Sequence, residues 1–593
     1  MRTTAGTTRG PLDAHGALPR AARAAPPTSG LLPTGPAPVA HRHSGRVPGR
    51  RPPAGRAGGA NVARLLPVSL AALLVALWLL VEPRTPDLAA QVYRAGLFGH
   101  LGFAVWDEHW YAGHHLPGYS LLFPPLAWLL GVRAVGALSV IASVALFERI
   151  VTTVYGPSAR WGAALFAVAA VGDAWMGRLS FALGVSFALA AVLALLRGRP
   201  WLAAALAALC AASSPVAGLL LALGAVTQAL SERSARALLT LAVPVAAVVA
   251  PLALLFPEGG FEPFPFLSFA AIVLVVLAFL WAVPRGQRLL RVGGLVYLLA
   301  CVLCLAVRTP MGSNVERYGV LLAGPLLACA LLAQEPSQRP RRRARLGGVL
   351  ALGAITVWVA WGPVRETLAV AGNESTRASY YVPVEQFLAR VAPAGPVRVE
   401  VPLTRSHWEA ALLAPTVSLA RGWEKQLDSR FDHVLLAPGL TATAYERWLH
   451  EQAVDYVALP DTSLDPSSAQ EGRLIRGGLP YLREVFASRH WRIYAVRAAT
   501  PLLSGPGRLT SLGSDSFALN ADSPGSFLVR VHYTRYWTLR NGSGCVRPAP
   551  GGWTSVTVPA PGAVRVAARF SLARAFAPGG SCRGGASAAD TVG

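Results

Sequence analysis

The sequence predicts an α-helical polytopic membrane protein of about eleven spans, followed by an external C-terminal domain that is α/β at first and then β-rich. Three observations predict it. Only 14% of the 593 residues are charged and 53% are hydrophobic, against roughly 25% charged in soluble domains. The deficit is concentrated in apolar runs that recur through residues 64–363. Arginines punctuate the short connections between those runs, which is the positive-inside pattern. The net charge of +24 therefore reads as topology, and no nucleic acid is expected as a partner. Lys425 is the only lysine. So strong a preference for Arg points to the codon bias of a GC-rich, bacterial source, and it weakens any inference from a single Arg to bidentate anion binding.

Residues 1–63 are rich in Pro, Gly, Ala, Thr and Arg with little apolar periodicity. They are expected to be a disordered cytoplasmic tail, or sequence upstream of the true start, because they bury too little surface to fold. They are too long and polar for a signal-peptide leader. The transmembrane domain, 64–363, is expected to cross at 64–82, 133–151, 160–176, 179–196, 200–213, 215–230, 237–256, 267–283, 291–307, 318–333 and 347–363. The short 200–213 and 215–230 pair reads as a hairpin bent at Ser213-Ser214-Pro215, whose freed backbone groups need partners. With the N-terminus inside, Arg149, Arg160, Arg197, Arg199, Arg233, Arg236, Arg285, Arg288, Arg291, Arg339 and Arg341 to Arg343 all fall inside. The loop 83–132, the turns near 173–178, 257–266 and 308–317, and everything from 364 fall outside. This holds only if Tyr119–Leu130, short and broken by Pro124-Pro125, lies at the interface.

The tail divides into an α/β domain, 364–500, and a β-rich module, 501–593. Alternation predicts strands at Val397–Val401, Asp455–Leu459, Trp491–Val496, Phe527–Tyr533, Trp553–Val558 and Ala563–Phe570. Apolar spacing predicts helices at Val382–Val391 and Ala442–Glu451, Gly/Ser/Pro composition predicts loops over 504–526, and the end is expected to be loose after 577. Cys210, Cys301, Cys304 and Cys329 fall within apolar runs, where cysteine is a small hydrophobe. Cys545 and Cys582 share the external module, where a disulfide is permitted and expected.

The chemistry-bearing stretch is Trp106 to Pro125, WDEHWYAGHHLPGYSLLFPP. A carboxylate in a partly dry pocket can take a proton from an attacking hydroxyl. Asp107 is the first choice for that base and Glu108 the second. His109, His114 and His115 with either acid offer donors for a divalent ion but match no tight metal motif, so no cofactor is expected and a divalent metal stays an alternative. They read as hydrogen-bonding the loop to itself and to headgroups. Trp110 and Tyr119, with Trp106 and Tyr111, can stack on a sugar, although such rings also form interfacial belts. On the same side Arg178, Arg308 and Arg317, with Asn314, break the positive-inside rule, and converging guanidiniums suit a lipid-borne phosphate. In the tail, Trp408, Glu409, Trp423, Glu424 and Asp428 form either a glycan-contacting face or, more commonly for such tryptophans, core.

This layout resembles the GT-C superfamily of membrane glycosyltransferases, and more narrowly the YfhO-type bacterial membrane proteins that include relatives named for a 6-pyruvoyl-tetrahydropterin-synthase-related domain. The features that carry the likeness are one span, an acidic external loop (Asp107, Glu108), the aromatic-proline stretch Tyr119 to Pro125, many further spans and a mixed external domain. The resemblance implies a polyprenyl-phosphate-linked sugar as donor, a cell-envelope glycan or protein as acceptor, transfer on the outer face of the cell membrane, Asp107 as base, and Arg178 and Arg317 on the donor phosphate. The acids stand in W-D-E-H-W, where that family's pattern has Asp-x-Asp or Asp-Asp. A transporter or flippase of a lipid-linked substrate predicts charges near mid-span and paired repeats, which are scarce here. A non-catalytic envelope scaffold predicts that the acidic loop is structural.

Overall fold

A computed structural model describes residues 55–333, 342–577 and 579–583. The predicted tail up to residue 54 and the arginines at 339 and 341 lie outside the described residues. The chain is mostly helical in its first two thirds. Helix α1 (Gly55–Val81) takes in the last residues of the predicted tail. It is followed by α2 (Pro86–Leu101), α3 (Phe123–Leu130), α4 (Val132–Tyr155), α5 (Arg160–Trp175), α6 (Leu179–Leu196), α7 (Pro200–Ser213) and α8 (Pro215–Glu232). Then come α9 (Val243–Leu255, entered through a π turn), α10 (Phe266–Ala282), α11 (Arg288–Ala306), α12 (Glu316–Leu332) and α13 (Arg342–Val370).

Among the described residues, seven helices are long and apolar enough to cross a membrane, or eight if the bent pair α1–α2 is one span. The expectation of about eleven is not met by helix length. Each predicted run is helical, but α5, α7 and α10 have 16, 14 and 17 residues. At 1.5 Å per residue, α7 is about 21 Å long against roughly 30 Å of hydrocarbon. The apolar faces of α9, α10, α11 and α13 expose Leu254, Leu267, Trp281, Leu295 and Val357 by more than half. Such a girdle suits a lipid solvent. Helices meet through small residues, as where Gly184 of α6 approaches Ala217 and Ser214.

The predicted external loop 83–132 is a helix in its first part. Thr85 precedes Pro86 at the first turn of α2, where the missing N–H is no loss. The axis turns 81° between α1 and α2. Only Phe123–Leu130 of the predicted interfacial stretch is helical, and Trp128 and Leu129 are exposed on it. The bend between α7 and α8 finds the partners it needs. Ser214 Oγ accepts from Ala217 N, and Ala212 O accepts from Leu121 N and Leu122 N.

Two short strands follow α2: β1 (Trp106–Asp107) and β2 (His114–His115) form a hairpin. The α/β domain is a five-stranded sheet of β3 (Arg398–Glu400), β4 (Ser418–Leu419), β5 (Tyr456–Pro460), β6 (Leu482–Ala487) and β7 (Trp491–Val496), in the order β4-β3-β5-β7-β6. The first three are parallel and the last two antiparallel. The predicted helices Val382–Val391 and Ala442–Glu451 pack on it. α13 continues to Val370, so the predicted boundary at 364 falls inside a helix.

The C-terminal module is an antiparallel sandwich. One sheet orders β12 (Trp537–Asn541), β15 (Gly562–Ala568), β10 (Ser516–Ala521) and β9 (Gly507–Gly513). The other orders β16 (Ser581–Arg583), β13 (Gly544–Pro548), β14 (Trp553–Val558), β11 (Gly525–His532) and β8 (Leu503–Ser504). Alternate residues such as Phe517, Leu519, Phe527, Val529, Val556 and Val566 fill the space between them. The 504–526 stretch, expected as loop, supplies β9 and β10. The end beyond 577 is not loose at 581–583: β16 pairs with β13, and Cys545 is joined to Cys582 by a disulfide. The cross-link closes a separation of 37 residues, a constraint on the unfolded chain of ~3–4 kcal/mol on the loop-entropy relation. Reduction, or Cys545→Ser, is expected to lower the melting transition of the sandwich and to speed proteolysis within 540–583; unchanged proteolysis under reductant would argue against a load on this bond.

Candidate functional site

Along α2, Asp87, Gln91 and Arg94 follow one another at i, i+4 and i+7, so they share one face and extend about 10 Å along the axis. Gln91 and Arg94 are only 1% and 5% exposed. Gln91 Nε2 donates to Tyr119 Oη. The Arg94 guanidinium lies 3.7 Å from the Tyr119 ring centre and 5.1 Å from that of Trp110, and Nη2 pairs with Glu424 at 2.6 Å. Among the described residues, Arg94 Nε and Nη1 and Gln91 Oε1 have no hydrogen-bond partner.

The turn between α5 and α6 brings Arg178 to the first turn of α2. Gly177 has φ +82°, and any side chain there would collide with the Leu88 backbone nitrogen, so glycine is required on two counts. Thr85 Oγ1 ties the same turn by donating to Trp175 O at 2.9 Å. Arg178 then reaches Asp87 at 3.4 Å and Asp173 at 3.3 Å. Arg317, at the start of α12, lies within electrostatic reach of Arg178, Asp87, Asp173 and Tyr119, and its Nε has no hydrogen-bond partner among the described residues. Glu262 accepts from Ser313 Oγ at 3.0 Å and feels Arg317, Lys425 and Asp87. The result is one charged basin where the helices meet the α/β domain. Beside it an apolar crevice of 310 Å³ has Arg94 on its wall together with Phe98, Leu116, Pro125, Leu252 and Phe570.

The acidic loop occupies a different place. Asp107 and Glu108 are 0% exposed, as are Trp110 and Tyr111. Asp107 accepts from Tyr93 Oη at 2.9 Å and from His109 N at 3.2 Å. Glu108 pairs with Arg398 Nη2 at 2.7 Å. Backbone bonds run from Glu108 N to Ser514 O, from Leu419 N to His109 O and from His532 N to Ala112 O. The hairpin thus adds to the β4 edge of the α/β sheet and supports the sandwich at the same time. Its turn is tight: Tyr111 and Ala112 have φ of 56° and 54°, which costs of order 1 kcal/mol each for residues with a Cβ. Gly113 follows, facing the Trp106 indole with no room for a side chain.

Electrostatics follow from this burial. Desolvation raises Asp107 to about 7, with Tyr93, His109 and Arg94 opposing it. It raises Glu108 to about 8 although Arg398 opposes it. Arg398 keeps its charge, because guanidinium does not deprotonate in proteins, so Glu108 is the partner that titrates. Burial lowers His109 to about 4 and His114 to about 3, leaving both neutral. Deeper in the α/β domain Arg421 is surrounded by Glu400, Asp428, Asp432 and Glu471, all at most 4% exposed, with Glu471 at 2.9 Å. Burial and mutual repulsion push Glu400 and Asp432 well above the usual carboxylate range against the pull of Arg421. One guanidinium cannot neutralise four acids, so the cluster holds protons.

Of the residues singled out in the sequence, Arg178, Arg317 and Tyr119 are brought together, while Arg308 is exposed and faces the Phe261 ring. Asn314 sits in the one-turn helix Gly312–Val315 next to Ser313. Trp110 is core, bonded through Nε1 to Ala410 O. The histidines bond to protein: His109 to Ser514, His114 to Asp107 O, His115 to Glu258 and Thr534. Among the described residues no three His, Cys, Asp or Glu side chains are grouped to hold a metal ion. Trp408, Glu409 and Asp428 are buried, which fits the core reading of that stretch. The residues not anticipated are Asp87, Gln91, Arg94 and Arg398. The helical spacing of the first three after Thr85-Pro86 was the available signal. The sequence matches no family model and no curated protein.

A carboxyl raised on folding binds its proton more tightly in the native state, so its stabilisation is present below the ordinary carboxylate range and is lost as pH rises through the raised value. The junction is therefore expected to weaken progressively from about pH 4, the ordinary carboxylate range, to about pH 8, above which Asp107 and Glu108 are both ionised and no further loss accrues. Glu108→Gln should flatten the pH dependence of the melting temperature relative to wild type. Arg398→Leu should cost ~3–5 kcal/mol by stranding the buried polar groups it bonds; a melting curve unmoved by it would remove the junction's central role.

Proposed function

We propose that the chain is a GT-C-like membrane glycosyltransferase that moves a sugar from a polyprenyl-phosphate donor to a cell-envelope acceptor on the extracytoplasmic face. The observation that carries the reading is the position of Arg94. It is a buried guanidinium with unpartnered N–H donors, standing where an apolar crevice meets a basin holding Asp87, Arg178 and Arg317. An amphiphile with one phosphate fits that juxtaposition: chain in the crevice, phosphate on the arginines, sugar toward the acids. The Cys545–Cys582 disulfide and the arginine distribution favour an external C-terminal domain and a cytoplasmic N-terminus.

On this reading Asp87, and not Asp107, is the base. Asp87 is 33% exposed and opens on the basin, whereas Asp107 and Glu108 have no surface that an acceptor hydroxyl can reach. The acceptor oxygen attacks the anomeric carbon, Asp87 takes its proton, and the carbon–oxygen bond to phosphate breaks with its electrons leaving on the lipid phosphate. Arg94, Arg178 and Arg317 stabilise the charge that develops there.

Transfer from a radiolabelled polyprenyl-phosphate sugar tests this in membranes that contain the protein. Asp87→Asn should lower kcat by roughly 100-fold or more. Arg94→Gln should raise the donor KM by about tenfold and leave the acceptor KM unchanged. Transfer that survives Asp87→Asn would sink the assignment of the base.

A further inference from the structure

A second cleft lies where the end of α13 meets the α/β domain, apart from the α2 basin. It has a volume of 340 Å³, and its lining includes Asn373, Glu374, Tyr380, Asp461 and Thr462. Its place in the fold is informative. The sheet order is β4-β3-β5, so the chain leaves β3 on one side and crosses to the other to form β5. In open α/β sheets, ligands bind beyond the carboxyl ends of the strands at such a switch point. Asp461 and Thr462 directly follow the last residue of β5, Pro460.

The polar groups are held in position before any ligand arrives. Asp461 Oδ1 accepts from Tyr380 Oη at 2.7 Å, and Oδ2 contacts His490 Nδ1 at 2.9 Å. The other nitrogen of His490 reaches Glu374 at 3.4 Å. Thr462 Oγ1 donates to Asn373 Oδ1 at 2.9 Å. Both carboxylates are nevertheless 51% exposed, and each keeps lone pairs free, since an ionised carboxylate offers about four acceptor sites.

We propose that this cleft binds a neutral saccharide. Fixed, exposed carboxylate acceptors beside hydroxyl and amide groups match the vicinal hydroxyls of a sugar. The remaining wall is alanine, glycine and serine, which leaves no pocket for the apolar anchor on which peptide binding depends. Two carboxylates also disfavour a phosphorylated or acidic sugar. The site stands independently of the transferase reading, because none of its residues touches the basin at α2.

The test is titration of the full-length protein in lipid nanodiscs with neutral hexose, pentose and N-acetylhexosamine oligosaccharides, followed by saturation-transfer NMR and calorimetry. At least one of them is expected to bind. Glu374→Gln and Asp461→Asn should each weaken it about tenfold, the loss of one charge-assisted hydrogen bond. Asp87→Asn should leave this binding unchanged, which separates failure here from failure of the proposed reaction. Glu374 is exposed and its substitution does not endanger the fold, so it decides the matter if Asp461→Asn unfolds through loss of the Tyr380 contact. Absence of binding across the panel, or affinity indifferent to Glu374→Gln, overturns the proposal.

Discussion

The arrangement depends on one buried guanidinium. Arg398 is 0% exposed and donates to Glu108 Oε1, Ser418 Oγ, Gln452 O and Arg530 O. Those partners come from the loop after α2, from β4, from the end of the helix at 442–451 and from β11 of the sandwich. Taking such a charge out of water costs several kcal/mol. That cost is met only when nearly every N–H finds an acceptor, and here the acceptors belong to three separate parts of the chain. Removing any one part strands the charge, so the membrane helices, the α/β domain and the sandwich are made to hold together. The acidic loop is the piece inserted at the centre, and its burial is the reason its carboxyls keep their protons to unusually high pH.

With the loop sealed, the geometry of α2 becomes decisive. The 81° turn after α1 lays α2 across the top of the helical region. One face of α2 packs on α3 and the other carries Asp87, Gln91 and Arg94. A continuous straight helix would have carried those three side chains away from Arg178 and Arg317. The close approach at Gly177 and the Thr85 bond to Trp175 fix the turn on which this meeting depends. The apolar crevice is lined by Arg94 and by Ser120, Leu121, Pro124 and Pro125 of the Tyr119 to Pro125 stretch, which is held by the Ala212 carbonyl at the α7–α8 bend.

Much of this was legible in the sequence. Strands β7 and β14 and the helices at 382–391 and 442–451 stand at their predicted bounds, because one buried face produces a clean period of two or 3.6. Helix α2 was not legible as a helix. Its polar stripe lowers its hydropathy, and Pro83 and Pro86 beside it read as loop chemistry. The helix-existence signal was the spacing of 87, 91 and 94, which a hydropathy scan averages away. Strands β9 and β10 were hidden by Gly, Ser and Pro, residues that mark loops but that also serve the short hairpins of a sandwich. The WDEHW loop shows a further ambiguity: tryptophans, acids and histidines compose an interfacial belt and a polar core equally well, and only the partners, Arg398 and Tyr93, distinguish them.

The chain carries acids at three depths, and depth assigns their chemistry. Glu108, Asp107 and the acids around Arg421 are buried, at most 4% exposed, so desolvation favours their protonated forms and their contacts hold the domains together. Asp87, one third exposed, is ion-paired to Arg178 and open to solvent. Glu374 and Asp461, half exposed and clamped by His490 and Tyr380, can only accept hydrogen bonds from something that enters from solvent. A carboxylate that accepts a substrate proton must lie between these limits: wet enough to be reached, dry enough for its charge to matter. On the proposed transferase reading that condition favours Asp87 on α2 over the acidic loop that follows it, although the two stand only twenty residues apart in the sequence.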